Sequence, residues 1–159
     1  MSRASIDQQI RPGERLLLDT TVLIAYLAAT EPVSPLAAYV IDDLVRSGRN
    51  PAVISMITVM ELLVQPLRRQ ATEPYQHIMD FLSNFPNLHP LDIDLYTAQE
   101  AASLRATYNF RPPDALIIAT GVNGRVSHLV TNDAEWSKKL GNASARIKVC
   151  YLEDHLPFP

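Results

Sequence analysis

The stretch LLLDTTVLIAYL, residues 16–27, is the most informative about the fold class. Its opening leucines predict a strand over residues 15–19 that is buried on both faces, because apolar positions follow one another without polar alternation. The run after Asp19 predicts a helix over residues 21–29, which the pair Glu31-Pro32 ends. A carboxylate therefore stands where a buried strand gives way to a helix. In parallel α/β sheets, ligands bind at that edge.

The same succession of strand and helix continues along the chain. Further strands are predicted at residues 52–55, 88–91, 127–131 and 147–151. Further helices are predicted at residues 34–47, 58–66, 74–84, 93–108, 111–123 and 133–140, with Ser34 and Asp92 as two of the caps. This alternation predicts an α/β fold in which helices wrap a parallel sheet. Residues 1–14 are expected to form a flexible arm, and residues 15–159 a single domain.

Composition limits the class of protein. The chain has 159 residues, of which 47% are hydrophobic and 19% charged, as in a globular domain. Its one cysteine, Cys150, excludes an internal disulfide and suits a reducing compartment. No signal peptide or membrane span is evident, so a soluble cytoplasmic protein is expected. The net charge of -3 argues against a general nucleic-acid coat protein. It does not exclude a nuclease, whose metal-binding acids lower the net charge.

Four acidic residues occupy related places at the ends of the predicted strands. Asp19 ends the first strand, and Asp133 lies just past the strand at residues 127–131. Glu61 is expected in the first turn of the helix after the second strand. Asp114 opens the helix at residues 111–123. Because the carboxyl ends of parallel strands meet at one edge, we expect the four side chains to gather in one acidic pocket.

Each acid also has a purely structural interpretation. Asp19 and Asp133 suit the N-cap positions of helices. Glu61 completes a capping box with Thr58, and Asp114 suits the positive end of a helix. Together, however, four carboxylates at one edge repel each other, and a divalent cation removes that conflict. Oxygen ligands without a Cys or His partner favour Mg²⁺ or Mn²⁺.

Four stretches resemble the motifs of the PIN-domain family in their usual order. They are residues 16–27, residues 55–63 (SMITVMELL), residues 111–121 (RPPDALIIATG) and residues 129–136 (LVTNDAEW). The resemblance implies a three-layer α/β/α sandwich around a parallel sheet. It also implies a metal-dependent ribonuclease that uses Mg²⁺ or Mn²⁺, as in the VapC-type toxins of toxin–antitoxin pairs. An RNA substrate, an antitoxin partner and a homodimer are implied in the same way.

Site residues carry over from the family motifs by position. The catalytic and metal-binding acids are Asp19, Glu61, Asp114 and Asp133, of which Asp19 and Asp114 are the expected direct ligands. Thr20 and Thr131 correspond to supporting polar positions. Such an ion activates water for attack on phosphorus and stabilises the charge that develops there. From the sequence itself, Arg105 and Arg111 flank Asp114 and are the candidate RNA-binding cations.

Three other functions fit parts of the pattern. A haloacid-dehalogenase-like phosphatase would need a second Asp where Thr21 stands. A receiver-like Mg²⁺-binding signalling domain would need an acid where Leu18 stands, and a lysine followed by proline late in the chain, whereas Val149 follows Lys148. A PIN fold that binds without catalysis has no such contradiction, although four intact acids argue against it.

Overall fold

A computed structural model describes residues 2–141 and 147–157 and has a five-stranded sheet at its centre. The strands are β1 (Leu16–Leu18), β2 (Ala52–Ser55), β3 (Leu88–Leu91), β4 (His128–Thr131) and β5 (Lys148–Tyr151). Their order across the sheet is β3-β2-β1-β4-β5. Every neighbouring pair is parallel. The predicted α/β fold with a parallel sheet is confirmed.

Helices cover both faces of this sheet. They are α1 (Ser2–Gln9), α2 (Thr20–Ala28), α3 (Ser34–Ala38), α4 (Met56–Arg68), α5 (Thr72–Asn84), α6 (Leu95–Tyr108), α7 (Pro112–Asn123) and α8 (Ala134–Leu140). A π-helical segment, Tyr39–Val45, continues α3, and a 3₁₀ turn, Leu152–His155, follows β5. No helix in the described ranges combines the length and the apolarity needed to cross a membrane.

The central strand β1 supplies side chains to two separate cores. Leu16 and Leu18 pack in the cluster that holds the buried residues of α1, α2 and α3. Leu17 points the other way and packs with buried residues of α6, α7 and α8. Successive side chains of a strand face opposite sides, so an unbroken apolar run needs a helical layer on each side. The predicted three-layer α/β/α sandwich follows.

The strand order places a topological switch point between β1 and β4. The chain moves outward from β1 to β2 and β3, then returns to add β4 and β5 on the other side of β1. Leu18 is level with Val130 across this junction, and the backbone N–H of Asp19 donates to Val130 O at 3.0 Å. Connections leave such neighbouring strands in opposite directions and open a crevice at their carboxyl ends. Asp19 and the residues after Thr131 both lie at this crevice.

The amino-terminal segment differs from the loose arm that the sequence predicted. It contains α1, whose Ile6 is fully buried, as is Ile10 just after the helix. The Gln9 side chain donates to Val149 O at 2.9 Å, and Ser5 is hydrogen-bonded to His155. Polar residues outnumber apolar ones in this segment, so its short apolar stripe escaped notice. That residues 15–159 form a single domain remains a prediction.

Several helix starts also differ from prediction. Ser55 caps α4 by accepting from the N–H of Ile57, so α4 begins before Thr58. Asp94, not Asp92, caps α6 by accepting from Thr97. Ser34 lies inside α3 rather than at its cap. For α4 and α6 a neighbouring polar side chain binds the backbone amides at the start of the helix, which sequence spacing alone does not resolve. The hydroxyl of Ser34 instead accepts from the N–H of Glu31 and donates to Ala25 O.

Two further outcomes concern a proline and the cysteine. Pro66 was expected to end or kink α4, and the helix continues past it to Arg68. Cys150 is fully buried in β5. Burial raises the pKa of its thiol to about 12, so the thiolate is not available for chemistry.

Candidate active site

The carboxylate of Asp19 is held by three hydrogen bonds at the end of β1. Oδ1 accepts from the backbone N–H of Thr20 at 2.7 Å. Oδ2 accepts from the hydroxyls of Thr21 and Thr131, each at 2.8 Å. Asp19 is also the N-cap residue of α2, with an extended backbone. The cap explains the bond from Thr20, but it does not explain two further hydroxyls on the other oxygen.

Asp19 is buried, with 3% of its surface exposed. Burial raises the pKa of its carboxyl from an ordinary 3.8 to about 6, although the three hydrogen bonds act in the opposite direction. The negative charge of Asp114 adds to the rise. Asp19 and Asp114 therefore lie close enough to repel each other, although 95 positions of sequence (114 − 19) separate them. This carboxylate is costly to charge unless a cation lies beside it.

Asp114 reaches the same place from the first turn of α7. Two prolines precede it and fix the backbone at the start of the helix. The Nε of Arg111 contacts Asp114 Oδ2 at 3.2 Å. The Arg111 side chain is 79% exposed, so this ion pair is weak and can be exchanged for another partner. Arg111, a predicted RNA-binding residue, therefore lies next to the acidic site.

Asp133 follows β4 and caps α8. Its Oδ1 accepts from the N–H of Glu135 at 2.9 Å, and its own N–H donates to the hydroxyl of Thr131 at 3.0 Å. The prediction that Asp133 caps a helix is therefore confirmed. Through Thr131, however, Asp133 is connected to Oδ2 of Asp19. The cap fixes the position of Asp133 without removing it from the site.

Glu61 lies in the second turn of α4, not in the first turn as the sequence suggested. Since α4 begins at Met56, the predicted capping box with Thr58 does not exist. Thr58 instead accepts a 3.0 Å hydrogen bond from the hydroxyl of Thr20. Residues three apart share a helix face, so Glu61 lies on the side of α4 that starts against α2. No contact joins Glu61 to another of the four acids in the described part of the chain.

The hydroxyl of Thr21 was missing from the predicted site. It donates to Asp19 and accepts from the backbone N–H of Asn132 at 2.9 Å. Thr21 thus links the loop after β1 with the loop after β4. The predicted supporting residue Thr20 contacts Asp19 through its backbone, whereas its side chain turns to Thr58. The only signal for Thr21 in the sequence is its position two residues after Asp19. That signal is weak, because an Asx-type turn has the same spacing.

The donor set is suitable for a hard divalent cation. Within residues 2–141 and 147–157, no three Asp, Glu, His or Cys side chains form a ready-made metal cage. Mg²⁺ commonly binds one or two carboxylates and completes its shell with water and substrate phosphate. Asp19 and Asp114 are the pair of oxygen ligands that would hold such an ion. Oδ1 of Asp19, with one hydrogen bond against two on Oδ2, keeps the more available lone pair.

Comparison with known proteins identifies the family. The PIN domain family matches residues 16–140, which include all four acids. This chain belongs to the PIN domain family. No curated protein matches it.

Solved structures agree with this assignment at the level of fold. A toxin–antitoxin complex from Klebsiella pneumoniae is 24% identical, with a TM-score of 0.63 over 86% of this chain and 97% of that chain. FitAcB from Neisseria gonorrhoeae is 20% identical, with a TM-score of 0.66 over 87% and 98%. VapBC2 from Rickettsia felis, bound to a promoter DNA fragment, is 18% identical, with a TM-score of 0.64 over 86% and 98%.

Proposed function

We propose that this protein is a metal-dependent endoribonuclease and the toxin of a toxin–antitoxin pair. The observation that carries the nuclease proposal is the pair of Asp19 and Asp114. They come from separate elements, and the charge of Asp114 contributes to the raised pKa of Asp19 at the end of β1. Membership of the PIN domain family supports the same class of activity. RNA is the substrate that the resemblance to VapC-type toxins implies.

Asp19 and Asp114 would hold Mg²⁺ or Mn²⁺ directly, with Asp133 and Glu61 close to the ion or its water shell. When bound, such an ion activates water and stabilises the charge that develops on the phosphate. The hydroxyls of Thr21 and Thr131 keep the Asp19 carboxylate in one orientation, because both donate to the same oxygen. Asp133 is held in place because it caps α8. It is the candidate residue that orients or deprotonates the attacking water.

An RNA cleavage assay tests this proposal directly. Wild-type protein is incubated with total RNA and Mn²⁺, with EDTA as a metal-free control. Asp19→Asn and Asp114→Asn should each lose cleavage by about a hundredfold or more, as expected when a charge that acts on the transition state is removed. Asp80→Asn, the same change at an exposed position of α5, should cleave like the wild type.

The result also separates the nuclease from a silent PIN-fold binding module. Cleavage that depends on metal and on Asp19 supports the nuclease. Metal binding without any cleavage would favour the silent module. Cleavage that survives both substitutions would point to a contaminating enzyme and remove the support for this site.

An apolar surface supports the antitoxin partner. Ile24 (44% exposed) and Leu27 (40%) lie on α2, which contains no charged residue. Met56 (38%), Met60 (53%) and Leu67 (60%) lie on α4, which contacts α2 through the Thr20–Thr58 bond. Exposed apolar patches of this kind mark protein interfaces. The similar structure from Klebsiella pneumoniae is described as a toxin–antitoxin complex.

Co-purification tests the partner. The chain is produced with the product of a small neighbouring reading frame that encodes a DNA-binding segment. Ile24→Lys and Met60→Lys should release that product, because a charge at a packed apolar contact must be desolvated. Leu95→Lys, at an 80% exposed position on α6, serves as the matched control. The homodimer remains a prediction. Sedimentation equilibrium tests it by measuring the mass of the protein in solution.

A further inference from the structure

Two cations meet at the loop that joins α6 to α7. The Nε of Arg105 donates to Phe110 O at 3.3 Å, and the Nζ of Lys139 donates to Asn109 O at 3.1 Å. The Lys139 ammonium also lies 5.0 Å from the centre of the Phe110 ring. Arg105 comes from α6 and Lys139 from α8, so the loop at residues 109–111 is held from two sides. Asp114 lies three residues after Arg111, in the first turn of α7.

Neighbouring cations differ from these two in their partners. Arg111 pairs with Asp114, and Lys138 contacts Glu135 at 3.3 Å. Among the residues that the structure describes, neither Arg105 nor Lys139 is in a salt bridge. Arg105 contacts a backbone carbonyl, and Lys139 contacts a backbone carbonyl and the Phe110 ring, none of which carries a full negative charge. Their positive charges are therefore not neutralised by an adjacent carboxylate.

A structural role explains part of this arrangement. Cations at the carboxyl end of a helix satisfy free carbonyls and interact favourably with the helix dipole. That role uses one N–H of Arg105 and one N–H of Lys139. A guanidinium has five donors and an ammonium has three, so most donors remain for another acceptor. Arg105 is exposed, and Lys139 is partly exposed.

We infer that Arg105 and Lys139 form a phosphate-binding site for the RNA backbone, on the side of the acidic pocket that faces α6 and α8. The inference rests on the proposed ribonuclease function and specifies how the substrate is held. Arg111 belongs to the loop that both cations contact, and it pairs with Asp114 of the acidic pocket. The phosphates bound here therefore flank the one that is cleaved. An acidic protein of net charge -3 repels RNA as a whole. A local pair of unneutralised cations therefore provides the attraction that the overall charge lacks.

Glutamine substitutions separate the charge from the structural role. Arg105→Gln and Lys139→Gln remove the charge but keep an amide N–H that can still donate to the loop carbonyls. Lys138→Gln is the matched control, because it removes the same charge at the next residue, whose Nζ contacts Glu135 and not the loop carbonyls. All variants carry Asp114→Asn so that RNA is not cut. The probe is a fluorescently labelled single-stranded RNA of mixed sequence, titrated without metal across a range of salt concentrations.

Each phosphate contact with single-stranded nucleic acid contributes about 0.7 to the slope of log affinity against log salt. This slope is negative, and Arg105→Gln and Lys139→Gln should each reduce its magnitude by about 0.7, and the double variant by about 1.4, with unchanged thermal midpoints. Lys138→Gln should leave the slope unchanged. Equal slopes in all variants, or no RNA binding at low salt, would overturn the inference. A further outcome is that the wild-type protein cleaves no RNA under any metal condition while RNA binding still depends on Arg105 and Lys139. That result would support the phosphate-binding site and refute the nuclease function.

Discussion

The hydroxyl of Thr131 donates a 2.8 Å hydrogen bond to Oδ2 of Asp19, across a sequence separation of 112 residues. This bond spans the junction of β1 and β4, where the strand order reverses. It lies fully inside the protein, because Thr131 is buried. The orientation of the central carboxylate therefore depends on both halves of the chain.

Thr21→Val should weaken metal binding, because Thr21 also holds Oδ2 of Asp19. Loss of an outer hydrogen bond to a metal ligand typically costs 10- to 100-fold in affinity, so a fall of about tenfold for Mn²⁺ is expected. The valine also leaves the Asn132 N–H without its acceptor, at a cost of about 1–2 kcal/mol in stability. Isothermal titration with Mn²⁺ and urea unfolding measure the two effects.

Thr21→Ser is the matched control for that prediction. It keeps the hydroxyl and removes only a methyl group, so it should restore Mn²⁺ affinity to near the wild-type value. If the valine variant binds Mn²⁺ as tightly as the serine variant, Thr21 does not position the carboxylate.

Asp19→Asn should stabilise the metal-free protein at neutral pH. Burial raises the pKa of Asp19 from 3.8 to about 6 in the folded protein, so the folded state keeps its proton longer than the unfolded state. Below the unfolded pKa both states are protonated and there is no difference. As pH rises from about 4 to 6, wild-type stability falls, and the full cost of about 3 kcal/mol is present above that range. The asparagine variant does not pay this cost.

Urea unfolding at about pH 4 and about pH 7 measures the effect. The advantage of Asp19→Asn over the wild type should be small at the lower pH and large at the higher. Asp80→Asn, at an exposed position, is the control and should lose stability with rising pH as the wild type does, because it keeps Asp19. An equal difference at both pH values would show that the carboxyl of Asp19 titrates normally.

Asp114→Asn should reduce the stabilisation that Mn²⁺ gives. A ligand that binds only the folded state stabilises it by about 2.7 kcal/mol at roughly one hundred times its Kd. Without metal, the substitution should be neutral or stabilising, because it relieves the repulsion with Asp19. Thermal unfolding with and without millimolar Mn²⁺ measures both. A variant that is destabilised without metal and unresponsive to it would identify Asp114 as a structural helix-start residue.

Ile6→Ala should destabilise the whole protein if α1 belongs to the fold. Ile6 is fully buried in the core that β1 shares with α2 and α3. Removing a buried isoleucine side chain to alanine typically costs about 2–5 kcal/mol. Gln8→Ala, on the exposed side of α1, should change little. A neutral Ile6→Ala in urea unfolding would restore the original prediction of a loose arm.

The sheet and the approach of the acids were predictable because their signals are strong and local. An unbroken apolar run such as residues 16–18 has few alternatives to a strand covered on both faces. Once the strands are parallel, Asp19 and Asp133 must follow carboxyl ends at one edge. The structure agrees for β1 and β4, and it brings Asp114 within electrostatic range of Asp19.

The details that escaped prediction depend on contacts distant in sequence. Thr21 matters because Asn132 and Asp19 lie beside it, which no local pattern shows. The start of α4 was misplaced because Ser55 and Thr58 are both good caps, and the contact with Thr20 occupies Thr58. Helix α1 depends on a few apolar side chains and on His155 at the other end of the chain.

The position of β4 also has a consequence during protein synthesis. Asp19 is made early, but the strand that carries Thr131 must insert beside β1 before the carboxylate is clamped. Domains fold as units during synthesis, while the ribosome adds about 5–20 residues per second to the chain. Until residue 133 has emerged, the nascent chain lacks the last acid and the Thr131 bond. The ribosome that makes this protein is therefore not exposed to a completed site on a partly made chain.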